Sequence, residues 1–264
     1  MPSSAAIRQQ IESDFQQRYP SALTPAVRTI RETAITGIIE IDTLLNGGLP
    51  IGAISEITGP VSSGRTSIAL SFLARRTQDG NVCAWIDTSD ALDPESAAAN
   101  GISLKHLLWV RCRTVLIEKP FPATHQKRDD RRQLWTRLDQ AIRATDLLLQ
   151  AGGFAVIVLD LADEAIEHGK RIPLTTWFRF RQAADRTRCS LVVLGKTAYA
   201  QSSTTVVIEC QPDRMDTAAG TVVRGFSYSA CRGRERFSPL ASLNRKPPAT
   251  SWSTQAPWDR EKRA

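Results

Sequence analysis

Between residues 59 and 67 the chain reads Gly-Pro-Val-Ser-Ser-Gly-Arg-Thr-Ser. Two glycines separated by four residues, then a basic residue and a hydroxyl, form the pattern of a loop that cradles phosphate. Gly59 and Gly64 allow the turn and a close approach of backbone N–H groups to phosphate oxygens. A helix opening behind the loop would add its positive end. Thr66 offers a hydroxyl to Mg²⁺, and Pro60, Val61, Ser62, Ser63 and Ser67 complete the candidate nucleotide site. The basic position, ordinarily lysine, holds Arg65. Its guanidinium keeps the charge but is longer, planar and forked, so it can pair with a phosphate or turn to another acceptor.

The second part that phosphate chemistry needs is a carboxylate at the end of an apolar strand. Val156-Ile157-Val158-Leu159-Asp160 supplies it, and Asp160 would hold a metal together with Thr66. The third part is a base that orients water. Near the strand-end Asp87 the candidates are Asp90 and Asp93, with Glu56 on the strand that enters the loop. Lys196, just after a further strand, could reach the phosphate site in place of the missing lysine.

These residues need a scaffold, and the order of elements provides one. Residues 53–58 read as a strand entering the glycine loop, and residues 66–78 as a helix leaving it. Residues 81–87, 107–112, 154–160 and 189–195 are further apolar strands. Helices are expected over 94–100, opened by Pro94, over 128–150, and from Pro173 to about Thr187. Residues 113–126 show no period, and residues 204–230 read as two strands of a hairpin. Alternating helices and near-continuous apolar strands predict an α/β fold with a mostly parallel twisted sheet, helices on both faces and a C-terminal antiparallel hairpin. Such sheets bind ligands beyond the carboxyl ends of their strands, where Asp87, Asp160 and the glycine loop fall. A leading helix with apolar residues at 7, 11, 15 and 19 and a linker occupy residues 1–33, the core 34–243, and a disordered tail 244–264. Trp109, Trp135 and Trp177 read as core residues. Trp252 and Trp258 stand in the polar tail, where they could dock on a partner or stack on bases.

Composition narrows the function classes. Hydrophobic residues are 42% and charged residues 23%, as in a globular protein, and no apolar run suggests a membrane span or a secretory signal. A cytoplasmic protein is expected. The five cysteines and three histidines fall in no metal-ligand spacing. The net charge of +7 is uneven. Arg171, Arg179, Arg181, Arg186 and Arg188, with Lys170, face only Asp185 within residues 170–188, a block that suits DNA or a plain solvated surface.

The run from Gly37 to Ser67, with its Gly-Gly-Leu-Pro turn and Ser-Ser-Gly loop, resembles the RecA family, as does the segment from Trp85 to Pro94. With weaker similarity the resemblance extends over roughly residues 35–240. It implies a RecA-like phosphate-loop core, ATP and Mg²⁺ as cofactors, and DNA binding with self-association. It also marks departures. The position of the family's water-activating glutamate is Ser89, a Ser after the metal-strand Asp is Leu161, and the glycine-rich DNA loop is cut to Ala198–Ser203. Degraded chains of this length are similar to the ImuA group, also described as SulA-related. That resemblance implies a DNA-repair accessory of the SOS response, which supports error-prone translesion synthesis beside a polymerase or a Y-family homologue. Nucleotide binding is then expected to be weakened and hydrolysis lost. The alternatives are an ATP-dependent recombinase with a variant loop and a nucleotide-free interaction module.

Overall fold

A computed structural model describes residues 31–113, 115–118, 132–218, 222–235 and 247–255. The chain divides into two units, residues 1–31 and 32–264. The leading helix expected in the first unit lies outside the described residues, as does Trp258.

In the second unit a two-residue strand β1 (Thr33–Ala34) pairs antiparallel with β2 (Leu49–Pro50) across a short helix, α1 (Ile39–Leu44). Then come β3 (Ile54–Thr58), α2 (Arg65–Gln78), β4 (Cys83–Asp87), α3 (Pro94–Ala99) and β5 (Leu107–Arg111). An antiparallel pair, β6 (Val115–Glu118) and β7 (Arg132–Trp135), precedes α4 (Arg137–Ala151). The core continues through β8 (Val156–Asp160), α5 (Ile166–Lys170), α6 (Leu174–Thr187) and β9 (Ser190–Gly195). It ends with β10 (Val206–Ala218), β11 (Val222–Glu235) and β12 (Ala249–Gln255).

One eight-stranded sheet runs in the order β12-β11-β10-β3-β9-β8-β4-β5. From β10 to β5 all neighbours are parallel, and β11 and β12 add antiparallel strands at the edge. Every residue of β3, β4, β8 and β9 is buried, as strands covered on both faces must be. On one face α2 sinks Ile68, Phe72 and Leu73 against Trp85, Val158 and Leu194. On the other, α6 buries Trp177, Phe180 and Ala184 and α4 buries Ala141 and Leu149 around Ile86, Ile157 and Leu191. Spacings of three and four residues put these side chains on one stripe of each helix. The α/β fold, its parallel core and the terminal hairpin match the expectation.

Three expectations need correction. Residues 115–118, read as irregular, form a strand. The long helix begins at Arg137 rather than 128, because Thr136 and Asp139 build a reciprocal cap: the Thr136 hydroxyl accepts from Asp139 N–H, and the Asp139 carboxylate accepts from Thr136 N–H. Residues 249–255, read as part of a disordered tail, pair with β11 over seven positions.

Trp252 explains why that strand docks. It is 4% exposed, its ring lies 5.2 Å from that of Tyr228, and both rings reach the glycine loop. A Cβ on Gly64 would stand 2.8 Å from the Trp252 ring and 2.9 Å from the Tyr228 ring. The expected role for Trp252, an exposed partner or base contact, gives way to one in the core. Trp252→Ala should cost about 3 kcal/mol of unfolding free energy, the usual cost of emptying a buried aromatic site. Urea denaturation checks it, and a loss within a few tenths of a kcal/mol would show that β12 does not brace the loop.

Candidate functional site

The glycine loop leaves β3 between β9 and β10. Gly59 donates its N–H to Gly195 O at 3.1 Å, which ties the loop to the end of β9. Gly64, at φ +82°, caps α2 in the left-handed region, and the flanking rings leave no space for a side chain there. Ser62 also takes a positive φ, of 59°, so the loop holds backbone strain beside its two glycines. Thr66 is exposed at the start of α2, where its hydroxyl can meet a cation, while Ser63 is buried with an unpartnered hydroxyl.

Arg65 does not extend outward. It is 6% exposed, and its Nη1 donates to Gly59 O and, at 3.0 Å, to Pro60 O. The guanidinium therefore folds back across the start of the loop and is held by the loop's own carbonyls. Its Nε has no partner among the described residues.

Asp160 and Asp87 stand side by side as register partners at the ends of β8 and β4. Their chemistry differs. Asp87 accepts from the N–H groups of Ser89 (3.1 Å), Ala91 (3.2 Å) and Leu92 (3.0 Å) and from Trp109 Nε1 (3.2 Å). It is a fastener for the loop that follows it. Asp160 accepts from Ala162 N–H at 3.0 Å. Burial pushes its carboxyl up to about 6, the Asp87 and Asp163 charges add to the rise, and the Ala162 N–H and Arg65 oppose it. A carboxylate so poorly solvated gains from a cation.

Nucleotide and Mg²⁺ fit these residues in part. The cradle, the exposed Thr66 and the desolvated Asp160 suit a phosphate and its metal, which would supply charge neutralisation at the phosphate oxygens. The Arg65 guanidinium narrows the same cradle. Ser89, two residues after the strand-end Asp87, offers no basic side chain.

The candidate bases are spent elsewhere. Glu56 is 1% exposed and accepts from Tyr199 N–H (2.5 Å), Ala200 N–H (3.0 Å) and the Thr204 hydroxyl. Asp90 is gripped by Arg111 through two contacts, of 2.5 and 2.6 Å, which hold its carboxyl below the usual range. Asp93 caps α3 through Glu95 N–H and Ser96 N–H. Lys196 Nζ donates to Glu164 O at 3.2 Å, so it braces the segment after β8. Glu56 and Asp90 thus have structural contacts where sequence offered candidate bases, and Lys196 has one where sequence offered a phosphate contact. For Glu56, Asp93 and Lys196 the reason is shared: short loops at the strand ends leave backbone groups to be paired, and nearby charges pair them, whereas Asp90 is taken by an arginine side chain.

The basic block is divided rather than gathered. Arg179 and Arg186, seven apart on α6, share a helix face, while Arg181 lies on another. Arg179 pairs with the buried Asp146 at 2.9 Å, and Arg188 with Glu32 at 2.6 Å. Arg171 and Arg186 are exposed.

Two residues escaped sequence reading. Tyr199 is 3% exposed, and its ring fills the space where Gly169 and Gly195 lack a side chain; a Cβ on Gly195 would lie 2.6 Å from it. Two glycines at a distance from one tyrosine were the available signal. Arg111 spans Asp90 and the Trp109 ring, 4.7 Å from its centroid, which only strand alternation could have suggested.

Comparison with known proteins agrees with this geometry. Residues 4–114 match the RecA N-terminal domain. This stretch is similar to RecA. Over 99 residues the chain is 42% identical to RecA of Crocosphaera subtropica, covering 38% of this chain and 28% of that protein. Over 130 residues it is 37% identical to RecA of Allorhizobium ampelinum, covering 49% and 30%. The chain thus spans under a third of the length of these RecA proteins. The crystal structure of the RadB recombinase superposes with a TM-score of 0.54 at 16% identity, over 82% of this chain and 93% of that one, a likeness of fold. Among the described residues no helix is long and apolar enough to cross a membrane.

Asp160 yields a pH prediction. Its folded value lies above its unfolded one, so the folded state keeps a proton between about pH 4 and pH 6 that the unfolded chain has lost. Stability from this group falls as pH rises through that window, and the ionised form remains a cost above it. Asp160→Asn should raise the unfolding free energy at pH 7.5 by about 1–3 kcal/mol, seen as a higher melting temperature, and leave both near wild type at pH 4. Thermal melts across pH test this, and an equal change at both ends would remove Asp160 as the cause.

Proposed function

We propose that this chain is a RecA-like accessory of DNA repair, similar to the ImuA group, that supports error-prone translesion synthesis and has lost ATP hydrolysis. DNA and an error-prone polymerase or Y-family homologue are its proposed partners. The observation that carries the reading is Arg65 turned into its own loop and held on the Gly59 and Pro60 carbonyls. Ser89 in the expected glutamate position supports it, with the adjacent Asp90 engaged by Arg111. A loop so occupied keeps backbone N–H groups for phosphate and gives up a free lysine-like charge, so nucleotide binding is weakened. Without a base beside Asp87, water is not activated and the nucleotide is not turned over. Exposed Arg186 offers a phosphate contact, so DNA binding should weaken as salt rises.

The competing reading is an ATP-driven recombinase, favoured by the exposed Thr66 and the desolvated Asp160. Calorimetric ATP·Mg²⁺ titration and a phosphate-release assay separate the two. Wild type should bind weakly and show no DNA-stimulated release. Arg65→Lys should tighten binding about tenfold, roughly 1.4 kcal/mol, without turnover. Adding Ser89→Glu should be required before any release is seen. DNA-stimulated hydrolysis by the wild type would overturn the reading.

A further inference from the structure

A cleft of about 600 Å³ opens between the first half of α4, the segment from Glu164 to Pro173 and Arg179 of α6. Its volume lies in the range of ligand sites. Leu138 and Ile142, one helical turn apart, provide apolar lining with Ile172 and Pro173. Three carboxylates line it too: Asp146 is paired with Arg179, Glu164 lies 3.5 Å from His168, and Asp139 accepts from the Thr136 hydroxyl and N–H. Three arginines remain. Among the described residues no carboxylate lies within ion-pair distance of Arg137, Arg143 or Arg171, and all three are exposed. With four arginines against three carboxylates, the cleft keeps a positive excess, carried by the exposed Arg137, Arg143 and Arg171 around an aliphatic lining.

We propose that this cleft docks an acidic peptide segment of a partner protein, with an aliphatic side chain seated between Ile142 and Ile172 and carboxylates forked onto Arg143 and Arg171. Guanidinium groups bind carboxylates through two parallel N–H contacts, which sets the orientation of such a segment. A single-stranded nucleic acid fits less well. Sites for single strands add stacking of bases on aromatic rings to their phosphate contacts, and no Phe, Tyr or Trp is among the residues lining the cleft. The proposal does not rest on the glycine loop and stands whether or not nucleotide binds.

The test uses the full chain and a fluorescein-labelled peptide, Glu-Asp-Glu-Leu-Leu-Glu-Asp-Glu, read by anisotropy. Saturable binding is expected, and it should weaken as salt rises. Arg143→Glu with Arg171→Glu should weaken it about a hundredfold, roughly tenfold per lost charge-assisted contact. Arg143→Lys with Arg171→Lys should recover part of that loss. Both residues are exposed, so these variants should melt with the wild type. Replacing the two leucines of the peptide by serine should weaken binding as well, which a purely electrostatic contact would not show. Three results would overturn the proposal: no saturation by the peptide, equal binding by the charge-reversed variant, or displacement of the peptide by a short oligothymidylate at lower concentration than by unlabelled peptide. Self-association of the chain that is lost on Arg143→Glu, with no peptide binding, would assign the cleft to a second copy and overturn it too.

Discussion

The arrangement of the strand-end loops depends on one buried carboxylate. Glu56 sits on β3, 1% exposed, with its charge met by two backbone N–H groups and a threonine hydroxyl from the segment linking β9 to β10. A buried charge is tolerated only when several donors satisfy it. Meeting that need draws residues 199–204 inward, which sets Tyr199 against Gly169 and Gly195 and lets β10 enter beside β3. The position of the glycine loop follows, since its first amide bonds to the end of β9.

Around this anchor, charge is used mainly to shape loops. Asp87 gathers three amides and an indole, Asp90 is gripped by Arg111, Lys196 braces the Glu164 carbonyl, and Arg65 ties the start of its own loop. Asp160 stands apart. It has an Ala162 amide as its hydrogen-bond donor, and its raised carboxyl reflects the desolvation the others have offset. The strand ends thus keep the form of a phosphate site while most of its ionisable groups serve the backbone.

The fold was legible because it is written in period and order. Apolar strands such as Val156–Asp160 alternate with helices whose apolar residues recur every three or four positions, and the glycine loop marks the first crossover. The placing of the glycine loop between β3 and α2, of Thr66 at the helix start and of Asp160 at a strand end was legible too, since the order of elements carries it. What remained hidden was pairing between distant residues. Nothing near Glu56 in sequence reveals that its donors lie at Tyr199, Ala200 and Thr204, and nothing in the polar tail shows that Trp252 closes over Gly64. The helix start at Arg137 was missed because a basic, polar stretch before it has helical composition, and the Thr136–Asp139 cap overrides that preference.

The backing of the glycine loop by Trp252 has a kinetic side. Gly64 and Trp252 are separated by most of the chain, so their contact closes a very long loop and its entropy cost must be met by structure formed earlier. The cradle's aromatic wall is thus a property of the whole chain and not of its local sequence: Tyr228 and Trp252 reach Gly64 from strands more than 160 residues away.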